Sequence, residues 1–140
     1  MTNLDKGNDE AINSADRVRR ATAADVNAKI DRQIDRNISY YSGAPRNAIL
    51  TRVRELDSEW DIERVLEIQC SSLALAGLVL GISSSRRWLA VPAVVLSFLL
   101  HHGLRGWCPP VPLLRGIGVR TRGEIDREKY ALKEYLEKSA

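Results

Sequence analysis

Hydrophobic residues follow two different patterns along this chain. In its middle, neither Ile68–Ile82 nor Trp88–Leu104 contains an aspartate, glutamate, lysine or arginine, and the polar connector Ser83–Arg87 separates these two apolar blocks. On both sides of the blocks, apolar residues recur at spacings of three and four among charged residues, which is the pattern of amphipathic helices. The sequence therefore predicts an all-α fold.

The two apolar blocks predict a transmembrane helical hairpin. A helix needs about 20 residues to cross the hydrocarbon core of a bilayer, so the spans are predicted at about 62–82 and 88–106. Trp88 and Trp107 lie at the two ends of the second span, as in an interfacial aromatic belt. The alternative is a soluble helical hairpin. We favour the spans because apolar residues cover every face of both helices and the chain has little else to bury them under.

Two apolar stripes before the hairpin predict an amphipathic helical arm over residues 22–61. The stripes are Val26, Ile30, Ile34, Ile38 and Tyr41, and then Ile49, Val53, Leu56 and Trp60. Thr22 with Asp25 resembles a capping box at the start of the first helix, and Gly43 with Pro45 closes it. Either stripe could pack on the other, on a second subunit or on the lipid surface.

The segment after the hairpin, residues 107–140, is predicted to be a Cys-Pro turn and a short C-terminal helix. Prolines at 109, 110 and 112 end the second span because proline lacks a backbone N–H. Thr121 and Glu124 then form a capping box. Apolar residues spaced among lysines and glutamates predict a terminal helix that is mostly exposed; they are Ile125, Leu132, Tyr135 and Leu136.

Charge and composition exclude some functions. The 21 basic and 18 acidic residues interleave along the first 67 residues instead of forming a basic block, so no nucleic-acid binding is expected. Residues 1–21 are predicted to be a disordered tail. Charged residues run through its first twenty positions without an apolar segment, so no cleavable secretory signal is expected.

Arginines close to the spans predict the orientation of the hairpin. Two arginines, Arg86 and Arg87, lie in the connector. Seven lie on the side of the termini, namely Arg52, Arg54, Arg64, Arg105, Arg115, Arg120 and Arg122. By the positive-inside rule, both termini of this multi-pass protein are predicted to be cytoplasmic.

Several short motifs frame the hairpin. Glu63-Arg64-Val65-Leu66 precedes a glycine-containing helix, the second helix ends in Gly106-x-Cys108-Pro109, and a tail beginning at Gly118 follows. Over about residues 62–121, this order resembles the YgaP-like transmembrane domain family of short bacterial inner-membrane hairpins. The chain departs from that family in having Val111 where an aromatic residue is usual, and in a longer spacing from Cys108 to Gly118.

The resemblance implies a location in the bacterial inner membrane and a hairpin that can pair with a second copy. In the namesake architecture a cytoplasmic rhodanese domain precedes the hairpin. Residues 1–61 are too few and too helical to hold such a domain, so sulfur-transfer activity is not expected here.

Candidate chemistry rests on two cysteines and two histidines. A Cys108 thiol at the membrane surface could bind a soft metal or haem, or react as a nucleophile. Folding the hairpin about its connector puts Cys70 and His101 at nearly the same depth, so that they could meet, with His102 beside them. The simpler interpretation, which we favour, is that Cys108 belongs to a compact turn and that the histidines bond to nearby polar groups.

Gly77 and Gly81 give the Gly-x-x-x-Gly spacing that lets two helices approach closely. Their predicted partner is either the second span, at Ala93 and Ser97, or the same helix of a second copy. The partners expected from the sequence are thus the lipid bilayer, a homodimer formed through the hairpin, and a cytoplasmic protein on the arm.

No catalytic constellation or cofactor motif is present in the sequence. We therefore expect a non-enzymatic, cofactor-free membrane anchor or interaction module that self-associates. The alternative hypothesis is a membrane protein that handles thiols or soft metals through Cys108, with Cys70 and His101 as further ligands.

Overall fold

A computed structural model describes residues 16–138, and its regular structure is helical throughout. The helices are α1 (Arg17–Arg20), α2 (Ala24–Ser42), α3 (Arg46–Ser58), α4 (Ile62–Ser83), α5 (Ala90–Arg105), α6 (Pro110–Gly116) and α7 (Arg122–Lys138), with a 3-10 helix at Arg86–Leu89. Residues 16–138 include no β-strand. The predicted all-α fold class is confirmed.

The helices form two parts. Helices α4 and α5 pack against each other as an antiparallel pair, which we call the hairpin. Helices α1, α2, α3, α6 and α7 form a second part at the open end of this pair, which we call the head. In the head, α7 packs against both α2 and α3.

Local capping sets the ends of the hairpin helices. The Asp61 carboxylate accepts a hydrogen bond from the Arg64 backbone N–H at 2.8 Å, which starts α4 at Ile62. Gly106, in the left-handed conformation with φ of 75°, ends α5. Helix α4 ends one residue beyond the predicted first span. The predicted start of the second span, residues 88–89, is instead the end of the 3-10 helix.

The core of the head lies between the arm and the C-terminal helix. Ile49, Val53 and Leu56 of α3 pack with three residues of α7, namely Ile125, Leu132 and Leu136. Ile30 and Ile34 on the predicted stripe of α2 are also buried. The prediction of a mostly exposed C-terminal helix is wrong, because α7 supplies the apolar face that covers the arm.

A second, smaller cluster joins the head to the base of the hairpin. It consists of Val18, Ile62, Leu66, Cys108 and Val111, all buried. In addition, the Ile62 backbone N–H donates to the Arg120 carbonyl at 2.9 Å. The start of α4 is thereby fixed to segments from both ends of the described chain.

Three local predictions for the arm need correction. The disordered tail predicted over 1–21 is wrong for residues 16–21, which include α1 with Val18 buried; residues 1–15 lie outside the described part. Thr22 does not cap α2, because its hydroxyl donates to the Val18 carbonyl and α2 starts after Ala23 without a side-chain cap. Trp60 lies beyond the end of α3, with its ring 4.7 Å from the Arg64 guanidinium carbon.

Candidate functional site

The outer surface of the hairpin is apolar and exposed. Its large exposed side chains are Ile68, Leu73, Leu75, Leu78, Val79, Leu80 and Ile82 on α4 and Val94, Leu96, Phe98, Leu100 and Leu104 on α5. Two helical stretches, Arg46–Ser83 and Arg86–Arg105, each contain a segment long and apolar enough to cross a membrane. Only 22% and 6% of these apolar segments are buried within the protein. Surfaces of this kind mark contact with a membrane or another protein.

The two hairpin glycines, Gly77 and Gly81, lie where α4 meets the 3-10 helix and the start of α5. A Cβ added at Gly77 would lie 2.6 Å from Pro92 Cδ, and one added at Gly81 would clash with the Leu89 side chain. The glycines therefore allow close packing within one chain. The atoms nearest to them belong to Leu89, Val91 and Pro92, whereas the prediction named Ala93 and Ser97.

The two cysteines come together at the base of the hairpin. The thiols of Cys70 and Cys108 lie within hydrogen-bonding reach of each other, and both side chains are buried. They line a mostly apolar cavity of about 220 Å³ together with Gln69, Leu73, Val95, Phe98, Pro109 and Pro110. Burial raises the pKa of the Cys108 thiol, and the neighbouring Cys70 raises it further. A thiol with a raised pKa is a weak nucleophile at neutral pH.

The histidines do not join the cysteines in that cavity. His101 is exposed and packs edge-on against Trp107, with ring centroids 5.9 Å apart. His102 lines a separate cleft of about 250 Å³ with Glu63, Glu67 and Arg17. Within residues 16–138, no group of three or more His, Cys, Asp or Glu side chains could hold a metal ion.

The motif residues shape the turn from α5 into α6. Gly106 has a positive φ, and a Cβ there would clash with the Arg17 carbonyl, so α1 can approach only a glycine. Pro109 directly precedes α6, and the Val111 backbone N–H donates to the Cys108 carbonyl at 2.9 Å. Gly118, with φ of 94°, turns the chain from α6 toward α7. The motif therefore has a structural explanation in this chain.

Two buried ionic clusters in the head were missed by the sequence analysis. Glu124 accepts two hydrogen bonds from the guanidinium of Arg115, at 2.6 and 2.7 Å, and also pairs with Arg19. One turn along α7, Glu128 accepts hydrogen bonds from Arg52 at 2.9 Å and Arg120 at 2.5 Å. The capping box at Thr121 pointed to Glu124, but no local pattern pointed to the distant arginines.

The arginines keep these carboxylates ionised. Burial by itself would raise the pKa of Glu124, but hydrogen bonding and the charge of Arg115 outweigh it, so the pKa is lowered from 4.5. The same balance lowers the pKa of Glu128, through its hydrogen bonds to Arg52, Arg120 and Asn37. Both groups carry a full charge at neutral pH, and their role is to tie α7 to the arm and to α6.

Comparison of the chain with protein-family models, curated proteins and solved structures gives no match. The resemblance to the YgaP-like family over residues 62–121 therefore stays a prediction.

Proposed function

We propose that this chain is an integral protein of the bacterial inner membrane, anchored by its hairpin, with a head that acts as a non-enzymatic interaction module. The apolar outer surface of the hairpin is the observation that carries the proposal. Leu75 and Ile82 are 62% and 80% exposed, and their transfer from water into hydrocarbon is favourable by about 1.5–3 kcal/mol each. A dozen such side chains supply a large driving force for insertion.

The location of the charges supports a cytoplasmic head. Segments from both ends of the described chain pack together beside the base of the hairpin, which requires them to lie on one side of the bilayer. That side carries seven of the nine arginines near the spans, against Arg86 and Arg87 in the connector. The positive-inside rule then assigns the head to the cytoplasm.

The surfaces left for partners follow from what the fold already covers. Helix α7 covers the apolar stripe of the arm, so a protein partner would meet the charged outer face of α2 and α3. The face of α4 that carries Gly77 and Gly81 is covered by the 3-10 helix and the start of α5. A second copy would therefore contact the outer leucine faces of the hairpin, and the proposed self-association depends on those faces.

A matched pair of variants tests insertion. Leu78 on α4 and Leu50 on α3 are both leucines with nearly equal exposure, 43% and 42%. We expect Leu78→Arg to lower membrane insertion, because arginine inside a span costs up to about 2.5–3.5 kcal/mol, and Leu50→Arg to leave it unchanged. The measurement is the fraction of chain in carbonate-washed membranes. Recovery of the unmodified chain in the soluble fraction would rule out the proposal.

Cysteine labelling tests the orientation. Ser84 lies in the connector and Ser58 at the end of α3, and both are exposed. In a background lacking Cys70 and Cys108, an impermeant maleimide should label Ser84→Cys in intact cells and Ser58→Cys only after the inner membrane is opened. The reverse labelling would place the head outside the cytoplasm.

A second candidate function is soft-metal binding, and the adjacent thiols of Cys70 and Cys108 favour it. Two thiolates can bind Cu(I) without further ligands, and thiolate ligands select such soft ions. If so, the purified protein should bind one equivalent of Cu(I), and Cys70→Ser should abolish binding. His101→Ala should have no effect, because His101 is not in the cysteine cavity. Absence of stoichiometric binding would discard this candidate.

A further inference from the structure

A positively charged cleft lies between α2 and the turn that follows α6. It has a volume of about 310 Å³, and four of its lining residues are basic: Lys29, Arg36, Arg115 and Arg120. No aspartate or glutamate lines it in the described part of the chain. Gly116 and Gly118 also line it, and a Cβ added at either would meet no atom within 4 Å, so the cleft is open beside this backbone.

The charges of this cleft are only partly compensated. Arg115 pairs with Glu124, and Arg120 pairs with both Glu128 and Glu59, so these two charges are compensated. Lys29 and Arg36, by contrast, form no ion pair within residues 16–138, although Arg36 donates to the Gln33 side chain at 2.8 Å. Two positive charges at the cleft are thus left without an acidic partner.

Arg115 offers a hydrogen-bond donor that the fold leaves unused. Its side chain is 1% exposed, and its Nε–H is buried without an acceptor in the described part of the chain. Buried donors are nearly always satisfied, so an unsatisfied one needs an explanation. The Nε atom has no exposed surface, so it would contact an anion in the cleft only after the Arg115 side chain shifts toward the opening.

We propose that the cleft binds a phosphate group. The cleft is lined by two unpaired basic side chains and by no acidic one in the described part of the chain, and guanidinium and ammonium groups form strong hydrogen bonds with phosphate oxygens. Lys29 and Arg36 supply the two uncompensated charges, whereas the charges of Arg115 and Arg120 are compensated by their glutamates.

A lipid headgroup is the phosphate source that the surroundings favour. Ile117, which also lines the cleft, is 73% exposed, and Leu113 on α6 is 71% exposed. Exposed apolar residues on a short helix beside the base of the hairpin would lie at the lipid surface. This choice of source rests on the proposed membrane location, whereas phosphate binding itself does not.

Two double variants of the full-length protein test the cleft. Lys29→Gln/Arg36→Gln removes the two unpaired charges, and Arg20→Gln/Arg32→Gln removes two exposed charges of the same region outside the cleft. Binding of inorganic phosphate is measured calorimetrically in detergent. Retention of phosphatidylglycerol or phosphatidylcholine in mixed nanodiscs is measured by native mass spectrometry. We expect the cleft variant to lose about tenfold in affinity, since each charge-assisted bond is strong, and the control to keep its affinity.

The outcomes separate the two proposals. Phosphate binding with selective retention of phosphatidylglycerol, both lost in the cleft variant, supports a lipid headgroup. Phosphate binding without retention of either phospholipid supports a soluble phosphate ligand. No binding of either, or equal losses in the two double variants, would overturn the cleft proposal. A chain that stays out of membranes but binds phosphate would overturn only the proposed membrane location.

Discussion

The hairpin and the head place opposite kinds of side chain on their surfaces and in their interiors. On the hairpin, Ile82 is 80% exposed and Leu100 67% exposed, whereas in the head Glu128 is fully buried and Glu124 is 3% exposed. The head buries carboxylates because arginines reach them, and the hairpin exposes apolar side chains because nothing within residues 16–138 covers them. The comparison teaches that the two parts suit different surroundings, and the proposed membrane location of the hairpin rests on this difference.

Satisfaction of hydrogen bonds explains why the head tolerates buried charge. Glu124 bonds to Arg115, Arg19 and the Thr121 backbone N–H, and so most of its acceptor sites are used. A buried ion pair is weak evidence for stability by itself, because desolvation offsets the attraction. Loss of one partner is different, because it leaves the other charge buried and unpaired.

The largest expected effect comes from breaking one of these clusters. Glu124→Ala leaves Arg115 buried without its main partner, so we expect the free energy of unfolding of the head to fall by about 3–5 kcal/mol. Urea titration in mild detergent, followed by circular dichroism, measures it.

Glu134→Ala is the matched control for that variant. It removes a carboxylate from the same helix, but one that is exposed and whose ion pair among residues 16–138 is with Lys138 one turn away. Its unfolding midpoint should match that of the unmodified protein. Equal losses in the two variants would show that the buried cluster contributes nothing special to the head.

Acid should weaken the head by a smaller amount. The pKa values of Glu124 and Glu128 are lower in the folded protein than in the unfolded chain, so their ionised forms stabilise the fold. This contribution is fully present above the ordinary glutamate pKa and is lost as the pH falls through the lowered pKa values. The loss is smaller than in the variant because a protonated glutamate still forms hydrogen bonds.

The hairpin provides the contrast in the same pH titration. It contains no carboxylate from Ile68 to Leu104. In a Trp60→Phe/Trp107→Phe background, Trp88 fluorescence reports on the hairpin alone, and its signal should stay constant from about pH 6 to 2, whereas the stability of the head falls once the pH is below the ordinary glutamate pKa. A head whose stability did not change over this range would contradict the assigned role of the two glutamates.

Glycine substitutions probe packing inside the hairpin. A Cβ at Gly77 would lie 2.8 Å from Val91 Cβ as well as close to the proline ring, and neither group can move easily. We expect Gly77→Ala to lower hairpin stability by about 1–3 kcal/mol. Gly81→Ala should cost less, since the Leu89 side chain can rotate away.

Gly103→Ala is the control for this series, because a Cβ there meets no atom within 4 Å and alanine favours helices by up to about 1 kcal/mol. The thermal midpoint from Trp88 fluorescence should therefore fall in the order Gly103→Ala, Gly81→Ala, Gly77→Ala. Equal thermal midpoints for all three variants would mean that α4 and α5 do not pack closely.

The sequence predicted most of the secondary structure because local signals set it. Continuous apolar runs defined the hairpin, and the cap at Thr121 marked the start of α7. The arrangement of the head could not be predicted, since the pairing of Glu124 with Arg19 joins residues 105 positions apart. Ion pairs between residues so far apart produce no periodic pattern in the sequence. For this reason the glutamates of α7 were predicted to lie on a solvent-exposed face.

The candidate site was predicted only in part, for a geometric reason. Counting residues from the connector gave the depth of Cys70 and His101 but not the face on which each side chain lies. The chain also reverses after Gly106, which carries Cys108 back toward Cys70. The thiol pair therefore forms across a turn whose geometry depends on Gly106 and the prolines, and His101 lies outside it.

The smallest effect separates a true capping box from a false one. Thr121 and Glu124 share reciprocal bonds, since the Glu124 carboxylate accepts from the Thr121 N–H at 2.8 Å and the Glu124 N–H donates to the Thr121 hydroxyl at 3.4 Å. Thr121→Ala should cost about 1 kcal/mol, and Thr121→Ser should restore most of it. Asp25→Ala, in the box that the sequence suggested for α2, should cost at most a few tenths through the helix dipole. A loss at Asp25 as large as that at Thr121 would mean that Asp25 takes part in a capping box with Thr22.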